Sequence, residues 1–300
     1  MNLRQLQYFL AIADEGSFTR AAERLLVAQP SLSQQIKSLE REIGGQLLER
    51  LPTGVRLTAA GKAFMTDARL AVTHAARAAR SARSALGLEA GELEVATVTS
   101  VAFGVLPPAF ELWHTRYPAT TVELREYQHR KALDDAVRAG VGDIAVGPRP
   151  ARWTGPIVEL GWEQFVAVLP RSDPLAGRRR TLALEELADR DWVLFGPEHG
   201  LTTLILEVCA RSGFVPRRAV RTGQVAAAAR HAAAGLGVTL IPDNVVPHGL
   251  NAAIHSLEPP LVRQLVAFTR QDWPPLAQAF LELLRTLTWQ DRPHSATIAP

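Results

Sequence analysis

From Ala59 to Leu86 the chain runs 28 residues without a proline and with one glycine, Gly61, near its start. Phe64, Ala68, Val72, Ala75, Ala79, Ala82 and Leu86 recur along it at spacings of 4, 4, 3, 4, 3 and 4, the period of one helical face. A helix this long with so narrow an apolar seam cannot bury itself, and the same helix of a second copy is its simplest partner. Thr58 suits its N-cap. The segment 59–87 therefore reads as a linker and dimerisation helix between two domains, ended by the glycines and charges of residues 87–91.

Charge follows the same division. Of 33 Lys+Arg and 30 Asp+Glu in the whole chain, residues 1–90 hold 12 and 8, so the basic excess lies in the N-terminal third. That asymmetry suits a polyanion-binding module joined to a neutral domain. Three hundred residues, 47% of them hydrophobic, are enough for two domains that each bury a core. A single cysteine, Cys209, excludes an intramolecular disulfide and supplies no zinc or iron–sulfur cluster, so a reducing cytoplasm fits and no cofactor is expected. The opening MNLRQLQYFLAIADEG has no basic segment ahead of a long apolar run and reads as a mature helix. No stretch approaches the roughly 20 apolar residues of a membrane span, and a membrane is not an expected partner.

Ahead of the long helix the periodicity is that of three short helices. Leu3, Leu6, Phe9, Leu10 and Ala13 form one stripe; Ser17 then caps a second helix carrying Phe18, Ala21, Ala22 and Leu25. The small Ala21 and Ala22 let two helices cross closely. Pro30 disfavours helix at Gln29 yet is tolerated in a first turn, so a third helix starts there with Leu32, Ile36, Leu39 and Ile43 as its core stripe. Its other face holds Ser31, Ser33, Gln34, Gln35, Lys37, Ser38 and Arg41. Short hydroxyls, glutamines and one lysine suit entry into a DNA major groove, although a solvated face could carry the same residues. Two short strands around Leu51–Gly54 follow as a wing, flanked by Arg50 and Arg56, which could reach phosphates or be simply solvated. Arg69, Arg77, Arg80 and Arg83 on the long helix leave the same two readings open, with solvation favoured for the last two.

The ordered segments "SFTRAAERL", "QPSLSQQIKSLE" and "LTAAG" resemble the winged helix-turn-helix of the LysR-type transcriptional regulators, closely over about the first 60 residues. The resemblance implies a DNA-binding domain over 1–58 in which Gln29, Pro30, Ser31, Ser33, Gln34 and Lys37 lie on the reading helix and Arg50 and Arg56 on the wing. It also implies double-stranded DNA, a small-molecule effector, a second copy of the chain in a homodimer or dimer of dimers, and RNA polymerase as partners. One departure is Leu48, where the family commonly has Phe; it alters packing under the wing and leaves its charge unchanged.

From Glu92 onward strand and helix patterns alternate, which implies a parallel sheet covered by helices with ligands at the carboxyl ends of strands. The resemblance extends here to the family's effector domain, itself similar to the periplasmic binding proteins. The expected fold class is thus α/β: an N-terminal winged helix-turn-helix, a long linker helix and a two-lobed effector domain over 92–300. Lobe one would take about 92–160 and 265–290, lobe two about 163–262, with hinges near 159–164 and 259–264. Ser100, in a loop between a strand and a helix with Val101, could hold a carboxylate with its hydroxyl and nearby N–H groups. Gln128 and Arg149 end two other strands, and Arg149 would favour an anionic effector unless it pairs with a surface acid. Leu201, Thr202 and Thr203 open a helix of the other lobe, and Gln224 follows a strand there; the resemblance places all of these in the pocket. Each could equally be an ordinary loop residue.

Enzymatic readings find no support, since no G-x-S-x-G, H-E-x-x-H or G-x-x-x-x-G-K-[ST] pattern occurs and the eight histidines are scattered. A redox switch would use two cysteines in the family's peroxide-sensing branch, and the position nine residues before Cys209 is Gly200. A regulator that needs no ligand stays open.

Overall fold

The computed structural model describes residues 1–300 apart from Thr53, 86–90, 178–180, His294 and Pro300. The chain divides into two compact units, Met1–Gly91 with Arg138–Val141, and the rest.

In the first unit, α1 (Leu3–Glu15) opens on a capping box between Asn2 and Gln5 and closes on the left-handed Gly16. Ser17 caps α2 (Phe18–Arg24). Helix α3 (Gln29–Ile43) carries proline in its first turn and stops at the left-handed Gly44. Strands β1 (Leu48–Leu51) and β2 (Gly54–Leu57) form an antiparallel wing with Glu49 opposite Arg56. Helix α4 spans Ala59–Ala85. Leu6, Phe9, Ile12, Ala21, Leu32, Ile36 and Leu39 share one core, with Phe64 edge-on to Phe9 at 5.2 Å.

The expected stripe needs two corrections. Leu3 and Ile43 are 40% and 41% exposed, the first residue of α1 and the last of α3, where the helical stripe runs out past the core. The end of the expected linker, Leu86 and Gly87, and the break after it fall outside the described residues, as do the side chains of Arg77, Arg80 and Arg83. Thr58 does cap α4: its hydroxyl accepts from Gly61 N–H at 3.0 Å and donates to the Gln46 carbonyl at 2.7 Å. Gly61 is required because a Cβ there would overlap the Leu47 carbonyl oxygen.

The second unit holds two cores. Strands β3 (Glu92–Val98), β4 (Thr121–Tyr127) and β5 (Ile144–Pro148) run parallel, covered by α5 (Thr99–Gly104), α6 (Leu106–Arg116), α7 (Arg130–Arg138) and later α10. Strand β6 is long, Ile157–Pro170, and leaves this first lobe for the second. There β7 (Thr181–Leu182), β8 (Asp191–Phe195), α8 (Gly200–Arg211), β9 (Arg217–Thr222), α9 (Val225–Ala233), β10 (Thr239–Pro242) and β11 (Ala252–Leu257) surround a core of Phe165, Trp192, Phe195 and Cys209. Strand β12 (Leu261–Phe268) returns antiparallel to β6 and β5, then α10 (Pro275–Leu284) packs Phe280 edge-on to Trp113, and β13 (Thr297–Ile298) joins β12. The two segments read as hinges fall within β6 and around the start of β12.

One sequence reading changes here. Ser100 and Val101 are helical, in α5, because the chain turns directly from β3 into a short helix. Helices α5 and α6 meet at Val105, ahead of the prolines at 107 and 108.

Candidate DNA-reading surface and effector cleft

Helix α3 keeps Leu32, Ile36 and Leu39 fully buried, which turns Pro30, Ser31, Gln34 and Lys37 outward as exposed residues; Gln29 and Ser33 are half-buried. Arg50 of β1 lies on the same surface. Its guanidinium stands 4.2 Å over the Phe18 ring and its Nη2 donates to Ser33 Oγ at 2.6 Å. Such a stack orients the planar fork at little entropic cost, leaving its remaining N–H groups for an outside acceptor. Arg56 is differently placed, paired with Glu49 across the wing at 2.7 Å. A phosphate would have to displace that carboxylate or share the arginine with it.

Sequence reasoning missed Glu40. Its Oε1 accepts from the backbone N–H groups of Leu47 and Leu48 at 2.9 and 3.1 Å, so the end of α3 fixes where the wing begins. With Arg41 and Glu42 beside it on α3, Glu40 reads in the sequence as one more surface charge, and nothing there sets it apart.

In the second unit a cavity of about 340 Å³ lies between the lobes. Lobe one lines it with Ser100, Gln128 and His129, lobe two with His199, Leu201 and Thr203, and Arg263 of β12 closes it from below. The lobes touch at its margin: Gly200 N–H donates to the Gln128 carbonyl at 2.9 Å. A Cβ at Gly200 would come within 3.0 Å of the His129 Cα, so glycine sets this close approach.

Four expected pocket residues do not line this cavity. Val101 is fully buried in the lobe-one core, since the helical turn points it away from the strand ends. Thr202 spends its hydroxyl on the Gly196 carbonyl at 2.6 Å. Gln224 is exposed at the N-cap of α9. Arg149 is exposed too, and reaches Glu159 at 2.8 Å and Gln264 at 3.4 Å, pairing with a surface acid after all.

Of the cations lining the cleft, Arg130, Lys131 and Arg263, the buried one is Arg263. It pairs with Glu163, its direct cross-strand partner, and its Nη2 donates to Ser100 Oγ at 3.2 Å. Glu163 and Arg263 are 2% and 8% exposed, so both charges are desolvated and each depends on the other. His199 is also buried. Its Nδ1 accepts from Leu201 N–H at 3.2 Å and its ring stacks on Phe195 at 4.6 Å. Burial, then the Arg263 and His129 charges, bring its pKa down to about 4, so the ring is neutral at physiological pH. Cys209 is buried in the lobe-two core, and burial pushes its thiol up to about 12, leaving little thiolate to react. Among the described residues there is no metal-ligand cluster and no helix long and apolar enough to cross a membrane.

A helix-turn-helix with a wing, followed by a two-lobed domain with a cleft, defines a DNA-binding transcriptional regulator. Residues 3–62 match the "Bacterial regulatory helix-turn-helix protein, lysR family" description and residues 86–289 the "LysR substrate binding domain". The chain belongs to the LysR family of transcriptional regulators. It is 34% identical over 308 positions to the HTH-type transcriptional regulator BudR of Raoultella terrigena, covering 99% of this chain and 98% of that one. It is 31% identical over 247 residues to AlsR of Bacillus subtilis (strain 168), 81% of each chain. The crystal structure of CbnR, a LysR family regulator, superposes with a TM-score of 0.70 at 27% identity, covering 95% of this chain and 98% of that one. Full-length CbnR complexed with its target DNA gives 0.69 at 28% identity, over 95% and 99%. The relatives are transcriptional regulators, so the chain is not an enzyme.

Proposed function

We propose that residues 1–58 read an operator through Gln29, Pro30, Ser31, Ser33, Gln34 and Lys37 on α3, with Arg50 and Arg56 on the DNA backbone. Residues 59–87 pair two subunits, and two such dimers assemble on a pseudo-palindromic site. A small anionic effector enters the cleft of residues 92–300 and shifts lobe closure, which alters the spacing of the readers and hence operator binding or promoter activation, the latter with RNA polymerase as a partner. The protein works in the cytoplasm. Such a shift needs only that the effector bind one lobe arrangement more tightly than the other.

The observation that carries this reading is the cavity lined from both lobes, with Ser100 on one side and His199 on the other. A ligand touching both is the kind that favours one arrangement. The test uses full-length protein and the intergenic DNA beside its own gene. Gln34→Ala with Lys37→Ala is expected to lower affinity at least tenfold, as loss of a bidentate base contact at about 1–3 kcal/mol and a phosphate contact would. Unchanged affinity would remove α3 from the interface.

A further inference from the structure

We propose that Phe18 is a positioning residue that sets how well the reader tells its operator from other DNA. Its ring, with the Ser33 hydroxyl, fixes the Arg50 guanidinium at one place beside α3, so that only DNA whose phosphate falls there makes the full contact. The inference rests on α3 and the wing facing DNA.

Arg50 is held by two elements other than its own strand. The Phe18 ring of α2 lies beneath its guanidinium at 4.2 Å, and Ser33 Oγ of α3 accepts from its Nη2 at 2.6 Å. Both holders are themselves fixed. Phe18 is 8% exposed and belongs to the core of the first unit, and Ser33 follows the fully buried Leu32 along α3. The wing is tied to α3 a second time, where Glu40 accepts from the Leu47 and Leu48 N–H groups. The exposed Arg50 guanidinium therefore stands in fixed register with the exposed Gln34 and Lys37 of α3.

The two holders are neutral, which sets Arg50 apart from four other arginines of the unit. Arg20 and Arg24 face Glu15, Arg69 faces Asp14 and Arg56 faces Glu49, each sharing its charge with a carboxylate. Arg4 also has a neutral partner, Tyr8, but on its own helix. Among the described residues no carboxylate pairs with Arg50, so it is oriented without being neutralised. Its planar fork keeps a full charge for a phosphate.

Ordering a long side chain at an interface opposes binding, and for Arg50 that ordering is complete before DNA arrives. The benefit is selective. A non-specific complex is held by phosphates alone, and a loose arginine finds one wherever the protein lies. On the operator the bases place α3, α3 places Arg50, and one phosphate has to meet it. Loosening Arg50 thus weakens operator binding and spares the rest.

Because Phe18 also fills the core, the test changes its π-face and keeps its ring. Placing 3,4,5-trifluorophenylalanine at position 18 of the full-length protein withdraws the negative charge over which the guanidinium sits. Affinities are measured at one salt concentration for the genomic fragment that wild type retains best and for an unrelated fragment of equal length. The fluorinated protein is expected to lose about two- to tenfold on the first, the cost of ordering one side chain on binding. It should stay within about twofold on the second and melt within a few degrees of wild type. In an Arg50→Met background the two rings should bind alike, whereas a core defect would act with or without Arg50. Equal operator affinity of the two rings, an equal loss on both fragments, or a loss that persists in Arg50→Met overturns the proposal. If it falls in one of these ways while wild type prefers its fragment and Gln34→Ala with Lys37→Ala loses that preference, the reader stands and only the role of Phe18 is removed. A wild type that holds every fragment alike refutes the reader itself.

Discussion

Glu163 and Arg263 face each other across β6 and β12, the two strands by which the chain passes between lobes, and the guanidinium reaches on to Ser100 at 3.2 Å. One buried ion pair thus joins the hinge to the cleft. Removing one partner leaves a desolvated charge without compensation, which costs about 3–5 kcal/mol. Glu163→Gln should therefore lower the denaturant midpoint of the effector domain strongly, and Glu163→Gln with Arg263→Met should recover most of the loss. A single variant within about 1 kcal/mol of wild type would show that water reaches the pair.

His199 makes stability depend on pH. The neutral ring is favoured in the fold, since its pKa is lowered from 6.5 to about 4 by burial and then by Arg263 and His129. The unfolded chain takes up the proton first as pH falls. Its contribution is complete above about 6.5 and is lost as pH drops toward about 4, on the order of 3 kcal/mol in all. Thermal melts from pH 7.5 to 4.5 should fall more steeply for wild type than for His199→Asn, and parallel curves would contradict the shift.

Leu26 adopts φ of +53° in the turn between α2 and α3 and is 92% exposed. Its N–H goes to the Glu23 carbonyl and that of Val27 to the Ala22 carbonyl, the hydrogen-bond pair of a Schellman turn, whose left-handed site favours glycine. Leu26→Gly loses no packing and relieves about 1–2 kcal/mol of backbone cost, partly offset by a freer unfolded chain. Reader stability should rise by roughly 0.5–1 kcal/mol. A fall on chemical denaturation would mean that the leucine is held by contacts absent from this structure.

Glu49 holds Arg56 at 2.7 Å on the wing and adds a negative charge where phosphates would approach. Glu49→Gln should tighten DNA binding several-fold and steepen its dependence on log salt by about 1, one further phosphate neutralised. An unchanged slope would place Arg56 away from the DNA.

The reader was legible because its information is local. Ser17, Pro30, Thr58 and the spacing of Leu32, Ile36 and Leu39 act within a few residues of themselves, and each takes its expected place in the fold. Its failures, Leu3 and Ile43, are helix ends, where period continues but cover does not. The cleft depends on pairings between distant segments. Glu163 and Arg263 lie 100 residues apart, and only β-strand register brings them together. A signal was present for Arg263, the one charge inside the apolar strand "LVRQLVAF", since a buried charge needs a partner, but β6 carries both Glu159 and Glu163 and the sequence does not say which of them it is. Arg149 misled in the opposite way. Following a strand suggested the pocket, but β5 ends at Pro148 and the arginine turns out to Glu159.

The central claim is that α3 reads DNA sequence. Sequencing the genomic fragments retained by full-length protein, beside those retained by the Gln34→Ala, Lys37→Ala variant, tests it most directly. Wild type should enrich fragments sharing a dyad-symmetric sequence, and the variant should lose that enrichment while keeping weak, salt-sensitive binding to any fragment. The same fragments enriched to the same degree by both would contradict it.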